Sequence, residues 1–193
     1  MDIRSGLAYP SAALSNFAPH SFVLDGVECA SMEGLLQSLK FESPESQAKV
    51  CKLVGMQAKM SGKPRNYAWQ QSQTLWWNGV PMQRKSVEYQ QFLERAYCAM
   101  LEQSGSFRRA LIASGNSVLR HSIGWNKEEQ TVLTEREFCA LLTRMREKAR
   151  EMTESEPKTT AVNRNQTSVT VPDKSATQAA SRGRRWRLPG IST

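Results

Sequence analysis

Ser31-Met32-Glu33-Gly34-Leu35-Leu36-Gln37-Ser38-Leu39-Lys40-Phe41 is the stretch on which the reading of this chain turns. Ser31 can accept a backbone N–H at a helix start, and Leu35, Leu36 and Leu39 recur at the spacing of one buried helical face. Just upstream, Phe22-Val23-Leu24 and Val27-Glu28-Cys29 flank Asp25-Gly26, which reads as a short hairpin on a tight turn. Just downstream, Ser43-Pro44 opens a second helix with Ser at the cap and Pro in the first turn, and Val50, Leu53 and Val54 are its expected buried stripe. Further out, residues 86–102 place Tyr89, Leu93, Ala96, Tyr97 and Met100 on one helical face. A short helix from Phe107 to Ser114 is stopped by Gly115, and Thr134-Glu135-Arg136-Glu137 is a capping box ahead of Phe138, Leu141, Leu142 and Met145. The expectation is a mainly α fold with a few short strands (α+β), one compact domain over residues 1–150.

Composition bounds what that domain can do. The 193 residues are 39% hydrophobic and 8% aromatic, enough for a core but modest for the length, which suggests that part of the chain lies outside it. No apolar run reaches membrane-spanning length, so no membrane partner is expected, and the N-terminus lacks the basic-then-apolar layout of a secretory signal. A cytoplasmic address is the resulting expectation. Cys29, Cys51, Cys98 and Cys139 are irregularly spaced, with only His20 and His121 beside them, so they read as reduced thiols and no metal site is expected.

At about residue 151 the composition shifts to Ser, Thr, Ala, Gln, Asn and Pro, and large apolar residues nearly vanish. Such a segment cannot bury enough apolar surface to offset its ordering entropy, and residues 151–193 are expected to be a disordered basic tail. It holds seven Lys or Arg against four Asp or Glu, so most of the formal charge of +8 belongs to the first 150 residues. Arg182, Arg184, Arg185 and Arg187 surround Trp186, a composition that can grip nucleic acid by phosphate pairing and stacking or can simply be a solvated terminus.

No GxGxxG, P-loop, GxSxG or HExxH pattern is present, and no cofactor is expected. What remains is a set of polar residues on otherwise apolar helices. Glu33 falls in the first turn of its helix, where the helix dipole alone favours a carboxylate. Lys40 follows seven residues later, two turns along nearly the same face, where it can look into a shared cleft or be a solvated helix end. Lys59 and Lys63 flank Gly62, a spacing that can let ammonium and amide groups approach a phosphate. Trp76-Trp77 can stack on a base or supply core area. By residue chemistry alone, the expectation stops at a helical domain with a candidate phosphate cleft.

Leu14-Ser15-Asn16-Phe17, then Phe22, Asp25-Gly26, Ser31-Met32-Glu33, Gln37 and Lys40-Phe41 resemble the opening signature of the NADAR family. The resemblance continues through Ala58-Lys59, Gly62-Lys63, Trp76 or Trp77, Met82, Leu111, Ser114-Gly115 and Leu119, over about residues 7–145. It implies a compact, mainly helical domain that cleaves an N-glycosidic bond of an ADP-ribose-like or phosphoribosyl ligand, including ADP-ribosylated guanine in nucleic acid. It further implies Glu33 as the acidic residue, Lys40 and Lys59 as the lysines of the site, Asn16 and Phe17 as pocket lining, and Trp76 or Trp77 as a wall.

That chemistry suits those residues. Breaking a ribosyl C–N bond develops positive charge at the anomeric carbon, which a carboxylate stabilises while an acid assists the departing base. A desolvated lysine can instead attack the opened sugar aldehyde. The chain also departs from the family. Where relatives carry an acid in a Leu-x-Glu segment, this sequence reads Leu119-Arg120-His121, followed by Ser122-Ile123-Gly124-Trp125. His121 is therefore a candidate acid or base, or a structural residue on a strand. Two function classes follow: an N-glycosidase, and a catalytically silent module that binds such a ligand. A third reading is a nucleic-acid-binding protein working through its tail.

Overall fold

The computed structural model describes residues 1–155, and the tail readings, including the arginines around Trp186, lie outside the described residues. The elements run α1 (Ser11–Leu14), β1 (Phe22–Leu24), β2 (Val27–Cys29), α2 (Met32–Ser38), α3 (Pro44–Cys51), α4 (Gly55–Gly62), a 3-10 turn (Lys63–Arg65), α5 (Asn66–Ser72), β3 (Thr74–Trp77), β4 (Val80–Gln83), α6 (Val87–Gln103), α7 (Gly105–Ala113) and α8 (Glu135–Ser155). This is the mainly helical architecture expected, with two separate two-stranded antiparallel hairpins. No helix among the described residues is long and apolar enough to cross a membrane.

The first hairpin turns at Asp25-Gly26, both at positive φ, and pairs Phe22 with Cys29 and Leu24 with Val27. Strand alternation buries Phe22 and Leu24 and leaves Val23 outward. Asp25 then ties the turn to the body, accepting from Trp77 Nε1 at 2.8 Å and from the Arg95 guanidinium at 3.0 and 3.1 Å. The second hairpin turns at Asn78-Gly79, again with both residues at positive φ, as a two-residue hairpin loop requires.

Every residue of α2 is buried, so this two-turn helix is the axis of the fold. Two glycines let neighbouring chain close in on it. A Cβ at Gly34 would meet the carbonyl oxygens of Leu53 and Cys51 at 2.6 and 2.7 Å, and one at Gly62 would overlap Gln37 Oε1. Ser31 caps α2 as the sequence implies, accepting from Gly34 N at 3.0 Å. The helix ends at Ser38, short of the Phe41 expected, because Lys40 N and Phe41 N bond three residues back, to Gln37 O and Ser38 O. Similarly α3 ends at Cys51, so Leu53 and Val54 follow the helix rather than lying on its stripe.

The long helices α6 and α8 cover the other side of the core. Tyr89, Leu93, Ala96, Tyr97 and Met100 of α6 are buried, as are Phe138, Leu141, Leu142 and Met145 of α8. The capping box forms: Thr134 N donates to Glu137 Oε2 at 2.7 Å and Glu137 N to Thr134 Oγ1 at 3.2 Å. α8 continues to Ser155, five residues beyond the composition change, and Met152 packs against the core.

Candidate active site

The N-terminal end of α2 opens into a cleft of about 450 Å³, a size typical of small-molecule sites. Five of the residues singled out in the sequence line it: Asn16, Phe17, Glu33, Lys59 and His121.

Glu33 is the buried polar group at its base. Its backbone N–H donates to Asn16 O at 2.9 Å, which fastens the start of α2 to the α1–β1 connection. Burial raises the Glu33 carboxyl above the usual carboxylate range, against the opposing pull of Gln37, Lys59, Lys40 and His121. Gln37, one turn on, donates from Nε2 to Glu33 Oε1 at 2.9 Å and accepts at Oε1 from Lys40 Nζ at 2.6 Å. Lys40 Nζ also donates to Asn66 Oδ1 at 2.7 Å. Because an ammonium can only donate, Lys40 turns the Gln37 carbonyl toward itself and the amide nitrogen toward Glu33. The result is a relay, Asn66–Lys40–Gln37–Glu33, running beneath the cleft.

Around this floor the walls come from four places. Asn16 Oδ1 accepts from the fully buried Tyr97 hydroxyl at 2.7 Å. Lys59, on α4, holds its ammonium 5.8 Å from the Phe17 ring centre, so its charge sits at the mouth above an aromatic face. His121 is held from both ends. Its backbone N–H donates to Glu135 Oε1 at 3.2 Å, and its Nδ1 lies 2.6 Å from Ile3 O. A carbonyl only accepts, so Nδ1 carries hydrogen and Nε2 is the nitrogen left for a ligand. The fourth wall is residues 131–134. Arg84, with no exposed surface, donates from Nε to Thr131 O at 2.8 Å and grips the Glu137 carboxylate at 3.0 and 2.6 Å, and the Tyr89 hydroxyl donates to Val132 O.

Other expected site residues lie elsewhere. Lys40 lines a second cleft, its ammonium held there by Asn66 Oδ1 and Gln37 Oε1. Trp76 lines that second cleft too, while Trp77 is core, its ring 5.4 Å from Phe92. Their strand explains the split: adjacent residues on β3 point to opposite faces. Gly62 is helical rather than in a loop. It is the last residue of α4, pressed against Gln37, and the exposed Lys63 lines neither cleft. His121 follows an isolated bridge between Asp2 and Arg120 rather than sitting on a strand. The aromatic wall is instead Trp125, 63% exposed at the rim beside Ile123. No pocket role was read for Arg4 or for residues 131–134. A tryptophan after Gly124 in a polar loop was the available signal; residues 131–134 carry none in their own sequence.

A family model described as Bacteriophage protein GP30.3 matches residues 8–147. The chain belongs to this family. It is 41% identical over 150 residues to an uncharacterized 17.1 kDa protein from the Gp30-rIII intergenic region of Enterobacteria phage T4, covering 76% of this chain and 97% of that one. Among solved structures, the NMR structure of the E. coli protein YbiA superposes with a TM-score of 0.52 at 18% identity, over 76% of this chain and 82% of YbiA. The GP30.3 family is a NADAR-related phage domain, which is the family resemblance read from residues 14–41, and the likeness to YbiA shows the shared fold.

Proposed function

We propose that the cleft binds a phosphate-bearing ribosyl ligand and hydrolyses its N-glycosidic bond. One observation carries the reading: a buried carboxyl, Glu33, raised above its usual range and fixed by a dedicated hydrogen-bond relay, at the floor of a cleft whose rim supplies Arg4, Lys59 and an exposed tryptophan. A raised carboxyl is a stronger base near neutrality than a solvated one. In this scheme Glu33 takes a proton from the attacking water, whose oxygen bonds to the anomeric carbon. The C–N electron pair leaves on the base, which takes the Nε2 proton of a doubly protonated His121 and leaves the ring with its Nδ1–H on Ile3 O. Arg4 and Lys59 hold phosphate, and Trp125 stacks on a planar ring.

The same cleft supports a second reading. Among its described lining residues Glu33 is the one carboxylate, whereas glycoside hydrolysis commonly uses two, so a silent binding module is the alternative.

A panel separates them: ADP-ribose, NAD, DNA bearing ADP-ribosylated guanine, and phosphoribosyl pyrimidines, each incubated with the full chain and resolved by chromatography. Release of free base from one of them, reduced by about 10²-fold or more in His121→Ala, is expected. Because Lys40 lines the other cleft and Lys59 holds phosphate in this scheme, borohydride should trap no adduct. Trapping that disappears in Lys40→Ala would replace the water mechanism with a Schiff-base one, and binding of a panel member without release from any would leave the silent module.

A further inference from the structure

Behind the relay, α5 and β3 face the corner between α2 and α3 across a second cleft of about 460 Å³. Lys40, Phe41, Ser46, Arg65 and Trp76 line it. Its two cations lack carboxylate partners. Lys40 Nζ, largely buried, uses two of its three N–H donors on the neutral amide oxygens of Gln37 and Asn66. Arg65 lays its guanidinium over the Phe41 ring at 5.2 Å. Neither enters an ion pair among the described residues.

That combination is costly unless something completes it. Burying an ammonium without a counter-charge is unfavourable, and desolvation accordingly pulls Lys40 down to about 8 despite the attraction of Glu33. Stacking on Phe41 uses the π face of Arg65 and leaves its in-plane N–H groups for an oxyanion. Glu42 also lines the cleft, so the local balance is two cations against one carboxylate, which favours a singly or doubly charged anion over a polyanion. The half-buried Trp76 ring adds an aromatic surface of the kind on which nucleobases stack.

We propose that this cleft is a second ligand site, separate from the Glu33 cleft, that takes a nucleotide: its phosphate between Lys40 and Arg65, its base against Trp76. Since Lys40 holds Gln37, and Gln37 holds Glu33, occupancy is transmitted to the first cleft by the hydrogen bonds already described. The binding claim stands whether or not the first cleft is catalytic.

The test is a titration of the full-length protein with adenosine 5′-monophosphate, followed by the indole N–H signals of its tryptophans in 15N-labelled samples and assigned by Trp→Phe variants. Adenosine and inorganic phosphate serve as separate controls. Saturable shifts at Trp76 are expected, with at least about tenfold weaker binding of either control. Arg65→Ala, an exposed position that should not disturb folding, is expected to weaken the nucleotide by about tenfold or more, as is Lys40→Met. Shifts confined to Trp125, inorganic phosphate binding as tightly as the nucleotide, or wild-type affinity in Arg65→Ala would each overturn the proposal.

Discussion

At the scale of a residue, Glu33 is where stability and function oppose one another. Its carboxyl is raised by burial, so the folded state retains a proton that the unfolded chain releases near its ordinary carboxylate range. Between those two values the unfolded state binds fewer protons, and stability therefore falls as pH rises through that window. Glu33→Gln removes the penalty and can still accept from Gln37. The variant should melt at the same temperature as wild type near pH 4 and at an equal or higher one at pH 8, by thermal unfolding across that range. A lower melting temperature for Glu33→Gln at pH 8 would show that the ionised carboxylate stabilises the fold instead. The sequence exposed Glu33 because it lies in a cap-defined helix start, but not the relay beneath it. Lys40 and Gln37 are in that same stretch, yet their roles depend on Asn66, 26 residues further along from Lys40.

At the scale of elements, two contacts fix the site. The first is the crossing of α2 with α4. A methyl at Gly62 would meet Gln37 Oε1, Cδ and Cβ, all within 3.0 Å, and Gln37 cannot swing away without releasing both Lys40 and Glu33. Gly62→Ala should cost about 1–3 kcal/mol as an overpacked core does, measured by urea unfolding. Adding Gln37→Ala should recover much of that stability without restoring ligand turnover. Full stability in Gly62→Ala alone would mean the crossing is looser than described. The second contact is the Arg84–Glu137 pair, which joins the turn before α6 to the first turn of α8 and holds residues 131–134 against the cleft. Burial acts to raise the Glu137 carboxyl, but bonds from Arg84, the Thr134 N–H and Gln90 outweigh it and hold it below its usual range. Its stabilising share is thus present above the ordinary carboxylate range and lost as pH falls through the depressed value. Glu137→Gln leaves Arg84 buried without its counter-charge and should cost about 3–5 kcal/mol, again by urea unfolding. A loss under about 1 kcal/mol would show the pair to be solvated. Cap signals made three helices legible: Ser31, Ser43 and the Thr134/Glu137 box all sit where the spacing puts them. The stretch 55–83 was less legible, because α4 and α5 are short and weakly patterned and because the Asn78-Gly79 turn, a hairpin signal in its own right, stands beside two tryptophans that draw the eye to ligand stacking.

At the scale of the molecule, the site is assembled from both ends of the domain. Asn16 and Phe17 precede the first hairpin, Glu33 starts α2, Lys59 rides on α4, and His121 and Trp125 come from the α7–α8 connection. No single stretch of sequence holds it, so the motif around Glu33 gave the family while the rim had to come from the fold. Helix α8 closes the core through Ala149 and Met152, and the T4 relative is almost wholly covered by a 150-residue match. A chain ending at residue 155 should therefore keep the melting temperature of the full protein within about 2 °C, whereas one ending at 150 loses Met152 and should melt lower. Equal loss in both truncations would place part of the core beyond residue 155. The claim that organises the whole is that the Glu33 cleft breaks an N-glycosidic bond, and single-turnover kinetics on the panel substrate that releases base test it directly, with ligand affinity measured in parallel. Glu33→Gln should bind that substrate within about threefold of wild type and release base about 10²-fold or more slowly. Equal binding with equal release would remove Glu33 from the chemistry and contradict the account.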